Sequence, residues 1–387
     1  MPTRDPAAPD PAASNPAETP TMQEARRTME VCNACRYCEG YCAVFPAMEL
    51  RRSFAATDLS HLANLCHSCR NCYYACQYAP PHAFGINVPK VLAELRQESY
   101  AAAAWPAPLA AAFRRNGLVI ALAMALGAGG VFLLALLLRG GGVLFGAQSL
   151  APGRGFYDVI PYGAMVWGGS AAFLVALLAL GIGFGRFWRA GGGRPAAPVR
   201  LGPLLRGLRD AATLRHLGGG GYGCNDTGES FANGRRRLHH LMAYGFLSCF
   251  AATVVGTLYD HALGWPAPYP FVSVPVLLGT AGGLGMVAGT VGLLWLKLIG
   301  DHAPQPRELL GGDAALLLLL LLIALSGLLL LALRATGAMG AALAVHLGLV
   351  LAFFLTMPYG KFVHGLYRTG ALIRDAVERH APGGRSD

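Results

Sequence analysis

The sequence predicts a mainly α-helical protein, a small cysteine-bearing head followed by a six-helix transmembrane bundle. Two observations predict it. Of 387 residues, 54% are hydrophobic and only 13% charged, against about 25% charged in a soluble domain. Eight of the ten cysteines also crowd into two short runs ahead of the apolar part.

Residues 1–21 are rich in Pro, Ala, Ser and Thr without an apolar run, which excludes a signal peptide and predicts a disordered tail. Residues 22–100 form the head, polar to mixed in character. Six apolar stretches follow near 117–138, 160–184, 238–259, 273–297, 314–334 and 340–362, each long enough for a hydrocarbon core of about 30 Å. The fourth is glycine-rich, as a tightly packed helix needs, and the nearly all-leucine fifth suits lipid contact. The spans and their flanks make a bundle over 116–364, with a tail at 365–387.

Lys and Arg are distributed asymmetrically. The loop 185–237 carries ten arginines, and Lys361, Arg368, Arg374, Arg379 and Arg385 follow the last span. The other side has Arg139, Arg154 and Arg334. The positive-inside rule then predicts an inner membrane protein with both termini and the arginine-rich loop in the cytoplasm. Residues 201–215 read as a basic amphipathic helix on the inner surface. Topology thus accounts for the net charge of +10 without nucleic acid. Arg235, Arg236 and Arg237 fit membrane-flank anchoring better than docking of an acidic partner.

The two cysteine runs, CNACRYCEGYC (32–42) and CHSCRNCYYAC (66–76), repeat at an offset of 34 residues, each as C-x2-C-x2-C-x3-C. This is the spacing that wraps a [4Fe–4S] cubane, with the fourth cysteine crossing to a second cluster. Cys32, Cys35, Cys38 and Cys76 are therefore expected on one cluster, and Cys66, Cys69, Cys72 and Cys42 on the other, in a ferredoxin-like twin-cluster head. Structural zinc does not explain the third and fourth cysteines of each run, and covalent haem lacks its C-x-x-C-H signature. Ala43 and Gln77 stand where bacterial ferredoxins place proline after the fourth cysteine. Cys249 reads as a buried apolar side chain, Cys224 as structural or reactive. GGGGYG (218–223) matches a dinucleotide fingerprint in letters only, having no preceding strand.

Histidines within spans are costly and so are functional candidates. His239, His240 and His261 mark the two ends of the third span; His346 and His364 mark those of the sixth. His346 and His364 are five whole turns apart, so they share one face of the sixth span and lie about 27 Å apart along its axis. That predicts one or two b-type haems, one between His364 and either His239 or His240, the other between His261 and His346.

The stretch from His346 to PYGKFVH (358–364) resembles the last helix of the cytochrome b subunit of respiratory nitrate reductases. The twin cysteine runs, LRHLGGGGYGC (214–224), the segment 235–261 and the PYGKFVH ending together resemble the tricarballylate/citrate utilization protein B family. The resemblance implies a membrane electron-transfer subunit. A cytoplasmic FAD-dependent dehydrogenase of tricarballylate would feed the two clusters and b haem, with quinone as acceptor. The chain shows no substrate-oxidising site of its own. A quinol-oxidising module feeding a soluble reductase is the alternative with the same carriers; a zinc- or redox-sensing membrane protein is the alternative from another class.

Overall fold

The computed structural model describes residues 18–147, 149, 151–191 and 200–380. Residues 1–17 of the expected tail, Arg194 and Arg385 lie outside the described residues.

Among the described residues, the N-terminal part of the head is built from α1 (Pro20–Cys35), α2 (Val44–Glu49), α3 (Ala56–Leu65), α4 (Asn71–Tyr74) and α5 (Val88–Ala103). Local sequence starts the long ones. The Thr19 hydroxyl caps α1 by accepting from the Met22 amide (3.2 Å), with Pro20 in the first turn; the Asn87 side chain caps α5 from Lys90 (3.2 Å), with Pro89 just inside. Met29, Met48, Leu59, Leu62, Leu65 and Leu92 fill the core between them. Among the described residues the head has no strand; the one pairing of this kind is an isolated bridge between Cys224 and Ala232, far along the chain.

Among the described residues, six helices are long and apolar enough to cross a membrane, as the hydropathy pattern predicts. They begin with α6 (Asn116–Arg139); short helices α7 (Gly141–Phe145) and α8 (Phe156–Val159) lead to α9 (Tyr162–Ala190). After α10 (Leu201–Ala212) come α11 (Gly234–Leu263), α12 (Val274–Ile299), α13 (Arg307–Leu333) and α14 (Met339–Thr356). The multi-pass arrangement places α11 against α12, α13 against α6, α12 and α14, and α9 on α14.

The glycine-rich α12 packs tightly, as expected. A methyl group on Gly245 of α11 would lie 2.7 Å from the Gly282 carbonyl oxygen of α12, so the two backbones touch. The leucine-rich α13, expected in lipid, leaves Leu318, Leu325 and Leu329 exposed, while its other side faces into the bundle. It buries Leu316, Leu317, Leu319 and Leu320 against α6, α12 and α14. Composition has no direction: a helix apolar all round suits a lipid face and a bundle core equally.

The sixth span is not one straight helix. Pro358 and the extended Gly360 (φ −142°) interrupt it after Thr356, and α15 (Val363–Arg379) starts afresh. His346 and His364 therefore sit on separate helices. The segment expected as a tail is ordered through Arg379, because α15 belongs to the head: Ala371 and Leu372 enter its core, and Glu378 accepts from Arg51 (2.8 Å). Tyr367 stacks on Phe187 of α9 (4.6 Å) and meets Tyr100 of α5 edge-on (5.4 Å), joining head, span and C-terminal helix. The amphipathic segment becomes α10 and ends at Ala212. It buries Pro203 and Gly207 against α15 and leaves Leu201, Leu205 and Leu208 exposed as a stripe.

Gly245→Val should force α11 and α12 apart, an overpacking cost of about 1–3 kcal/mol. Thermal unfolding in detergent should register the loss, whereas Gly130→Val, whose side chain meets open space, should leave the midpoint unchanged.

Candidate iron–sulfur and histidine site

The repeat in sequence is a repeat in backbone. Arg36 follows Cys35 and Arg70 follows Cys69, and both arginines adopt the left-handed conformation (φ 54° and 68°). Each reverses the chain so that cysteines on either side of it turn toward a common space.

The side chains gather into two adjoining sets. The thiols nearest Cys32 in effect are Cys38, Cys76 and Cys35; those acting on Cys72 are Cys69, Cys42 and Cys66 and, least, Cys38 of the other set. The fourth cysteine of each run thus stands with the first three of the other. A cavity of about 360 Å3 opens among Cys32, Cys35, Cys38 and Cys76. Among the described residues no three His, Cys, Asp or Glu side chains close on a single metal ion. A cavity among four thiols fits a multi-atom cluster better than one zinc with bonds of about 2.3 Å.

Burial, then the neighbouring thiols, pushes Cys32 and Cys38 up to about 12. Burial also raises Cys69 to about 12, and lifts Cys42 and Cys72 well above the ordinary thiol range. A bare thiolate is disfavoured in such a place; a bound cation supplies the missing compensation. The sets differ in depth. Cys66, Cys69 and Cys72 are buried and their fourth member Cys42 is half-buried, whereas all of Cys32, Cys35, Cys38 and Cys76 keep partial exposure beside Tyr37, which is 71% exposed.

Arginines fasten the deeper set. Arg96 donates to the carbonyls of Ala63 (3.0 Å) and Cys66 (2.7 Å), and Arg368 of α15 donates to the same Cys66 carbonyl (2.8 Å). Arg235 donates to the His67 and Ser68 carbonyls (3.2 and 2.9 Å). It is therefore an internal clamp, neither membrane anchor nor docking surface; Arg236 likewise donates to the Thr213 carbonyl (2.8 Å). Cys224 is buried beside Cys69, giving its thiol hydrogen to the Leu217 carbonyl (2.8 Å) and accepting from Arg235 (3.3 Å). Neither Cys224 nor these arginines could be placed by motif spacing.

The histidines divide. His239 faces His364, ring centres 6.1 Å apart and planes at 81°. His240 turns away onto Tyr244 (5.7 Å), so helical geometry selects His239 of the adjacent pair. His261 meets Tyr162 (2.9 Å) and His346 meets Ser326 (2.9 Å); the structure records no ring contact between them. Cys249 lies half-buried at the α11–α12 seam.

Residues 25–102 match the sequence model described as citrate utilization protein B Fer4-like domain, and residues 113–385 that of citrate utilization protein B. The chain belongs to the citrate utilization protein B family. The citrate utilization protein B of Escherichia coli is 48% identical over 363 residues, spanning 92% of each chain. No solved structure matches. Membership with a Fer4-like head assigns the chain an iron–sulfur electron-transfer role.

Because each set borrows one cysteine from the other run, Cys76→Ser should cost the cluster of Cys32, Cys35 and Cys38, and Cys42→Ser the other. Iron analysis of the full-length protein should show about half the iron in each variant, two clusters being expected from the ligand pattern. In cluster-free protein the raised thiols favour folding below the ordinary thiol pKa of about 8.5. That contribution is lost as pH climbs toward about 12. Denaturant titrations at increasing pH should show the decline in the cluster-free form and none from these thiols in the iron-loaded form.

Proposed function

We propose that this protein is the membrane subunit of a quinone-linked oxidoreductase, receiving electrons from a soluble FAD-dependent dehydrogenase of an organic acid such as tricarballylate or citrate. They would pass through two [4Fe–4S] clusters and a b haem. When bound, these groups supply one-electron redox chemistry; the chain supplies ligands, burial and order.

The observation that carries the reading is the meeting of His239 and His364 one helical turn from Arg368, whose guanidinium holds the Cys66 carbonyl. If a haem is bound, His239 and His364, ring centres 6.1 Å apart, would be the residues to hold it, and its iron would supply one-electron redox chemistry. The Lys361 carbonyl oxygen stands against His364 Nδ1, so it accepts the Nδ1 proton and leaves Nε2 free to bind a metal, as a ligating histidine requires.

The depth of the two cysteine sets supports an order. The partly exposed set beside Arg36 and Tyr37 is open to a soluble donor. The buried set is gripped by Arg96 and Arg368 at the membrane side. A head of this kind on the cytoplasmic side suits a cytoplasmic dehydrogenase, and the arginine-rich loop supports that orientation.

Visible spectra of the purified full-length protein test the reading. Dithionite should bleach the iron–sulfur absorption and reveal split b-haem bands. His239→Ala and His364→Ala should each abolish the haem bands, while His240→Ala should retain them. Haem of wild-type intensity in His364→Ala would sink the proposed pair.

A further inference from the structure

One side of α10 packs on the head, where Pro203 and Gly207 are buried and a methyl on Gly207 would lie 2.7 Å from the Ile373 Cα of α15. At about 100° per residue, Leu201, Leu205, Leu208 and Ala212 fall within an arc of about 60° on the opposite side. All four are exposed, and the row runs the length of the helix. Arg209 and Arg206 follow at about 40° and 100° beyond Leu205. Both are exposed and pair with no acid among the described residues, whereas Arg215 stands 3.5 Å from Asp210.

The height of this row is set by α11. The Tyr244 hydroxyl donates to the Ala212 carbonyl (2.9 Å), tying the end of α10 to the third span. From Tyr244 to Leu263, where α11 ends, is about 30 Å of helix, the thickness of a hydrocarbon core. Tyr244, Leu247, Val254 and Leu258 are exposed along that length. The row on α10 therefore reaches α11 where its lipid-facing stretch begins.

A leucine row at that height, flanked by arginines, has the composition of a helix lying in a bilayer interface. A second copy fits it poorly. Pairing would set two positively charged helices face to face, and three leucines offer far less than the about 800 Å2 per partner of a stable complex.

We infer that α10 is a seat for the anionic surface of the leaflet on the head side, with its leucine row at the acyl boundary and Arg206 and Arg209 on lipid phosphate groups. The seat adds a lipid partner to the electron-transfer reading and needs none of the redox groups. Because Gly207 leaves no room between α10 and α15, the seated helix backs the element that carries His364 and Arg368.

The test uses the full-length protein in phosphatidylcholine vesicles. These hold a trace of phosphatidylglycerol with a diazirine on its acyl chain, or of phosphatidylcholine with the same diazirine. After illumination, mass mapping should place the phosphatidylglycerol label on residues 201–212 and on the exposed face of α11, and the phosphatidylcholine label on α11 alone. Arg206→Gln should lower the α10 label about fivefold, the effect of one arginine near an anionic surface, and leave the α11 label unchanged. Wild-type protein in about 1 M salt should lose the same preference, because the screening length there is only about 3 Å. Equal α10 labelling by the two lipids would overturn the anionic seat. So would label on α11 with none on 201–212, or a cross-link from α10 to a second copy or to another protein. Cluster and haem content enter none of these outcomes, so the electron-transfer reading stands or falls separately.

Discussion

The fold hangs on the backbone carbonyls of the second cysteine run. Arg96, Arg235 and Arg368 come from the head, the third span and the C-terminal helix, and all three donate to carbonyls between Ala63 and Ser68. Arg70, inside the run, donates outward to the Asp226 carbonyl (2.5 Å). Charge-assisted hydrogen bonds of this kind are roughly twice as strong as neutral ones, and a guanidinium needs no proton to come or go. Such a joint holds the buried cysteine set at a fixed distance from the histidines of α11 and α15. It also surrounds that set with positive charge, which suits thiolates that burial alone would disfavour.

The break at Pro358 and Gly360 follows from the same joint. A continuous sixth helix would carry Arg368 and the Ala371–Leu372 surface along the axis of α14, away from the head. Interrupting the helix lets α15 restart with Arg368 toward Cys66 and its apolar side in the head core. The Asn116 side chain donates to the Tyr359 carbonyl (2.8 Å) within the break, satisfying an acceptor that the helix no longer uses. Lys361, freed from regular helix, reaches Asp313. Redirecting the chain thus serves the docking of the head and this ion pair together.

Much of this was legible in the sequence because the relevant signals are periodic. The 34-residue cysteine repeat shows in the paired left-handed arginines, and the six spans emerge from apolar run length. What escaped depends on contacts across the chain. Spacing cannot distinguish His239 from His240, since their angular offsets to His261 are similar; packing of α11 against its neighbours does. A straight-helix projection through His346 and His364 ignored Pro358, although proline inside a helical run is a readable warning. Hydropathy has no direction, so it cannot show that the leucine-rich α13 has a buried side as well as an exposed one. Asp313, the acid nearest that leucine run, was the available clue that one side of the helix turns inward, because a charge at a span end needs a partner inside the protein.

The glycine loop 218–223 explains why a nucleotide fingerprint in letters becomes something else in space. Gly219 and Gly220 lie at positive φ (52° and 75°), and Asn71 of the second run donates to the Gly219 and Gly223 carbonyls (3.1 and 3.0 Å). A methyl on Gly220 would come within 3.0 Å of the Tyr41 carbonyl oxygen in the first run. The loop therefore passes between the two cysteine runs, where neither the backbone conformation nor the space admits a side chain. Its next residues continue the grip, with the Asn225 amide donating to the Cys69 carbonyl (3.0 Å). A segment carried between two spans thus closes over both halves of the head. The close approach of backbone to backbone that glycine permits at a phosphate serves here to hold two sets of thiols in one rigid frame.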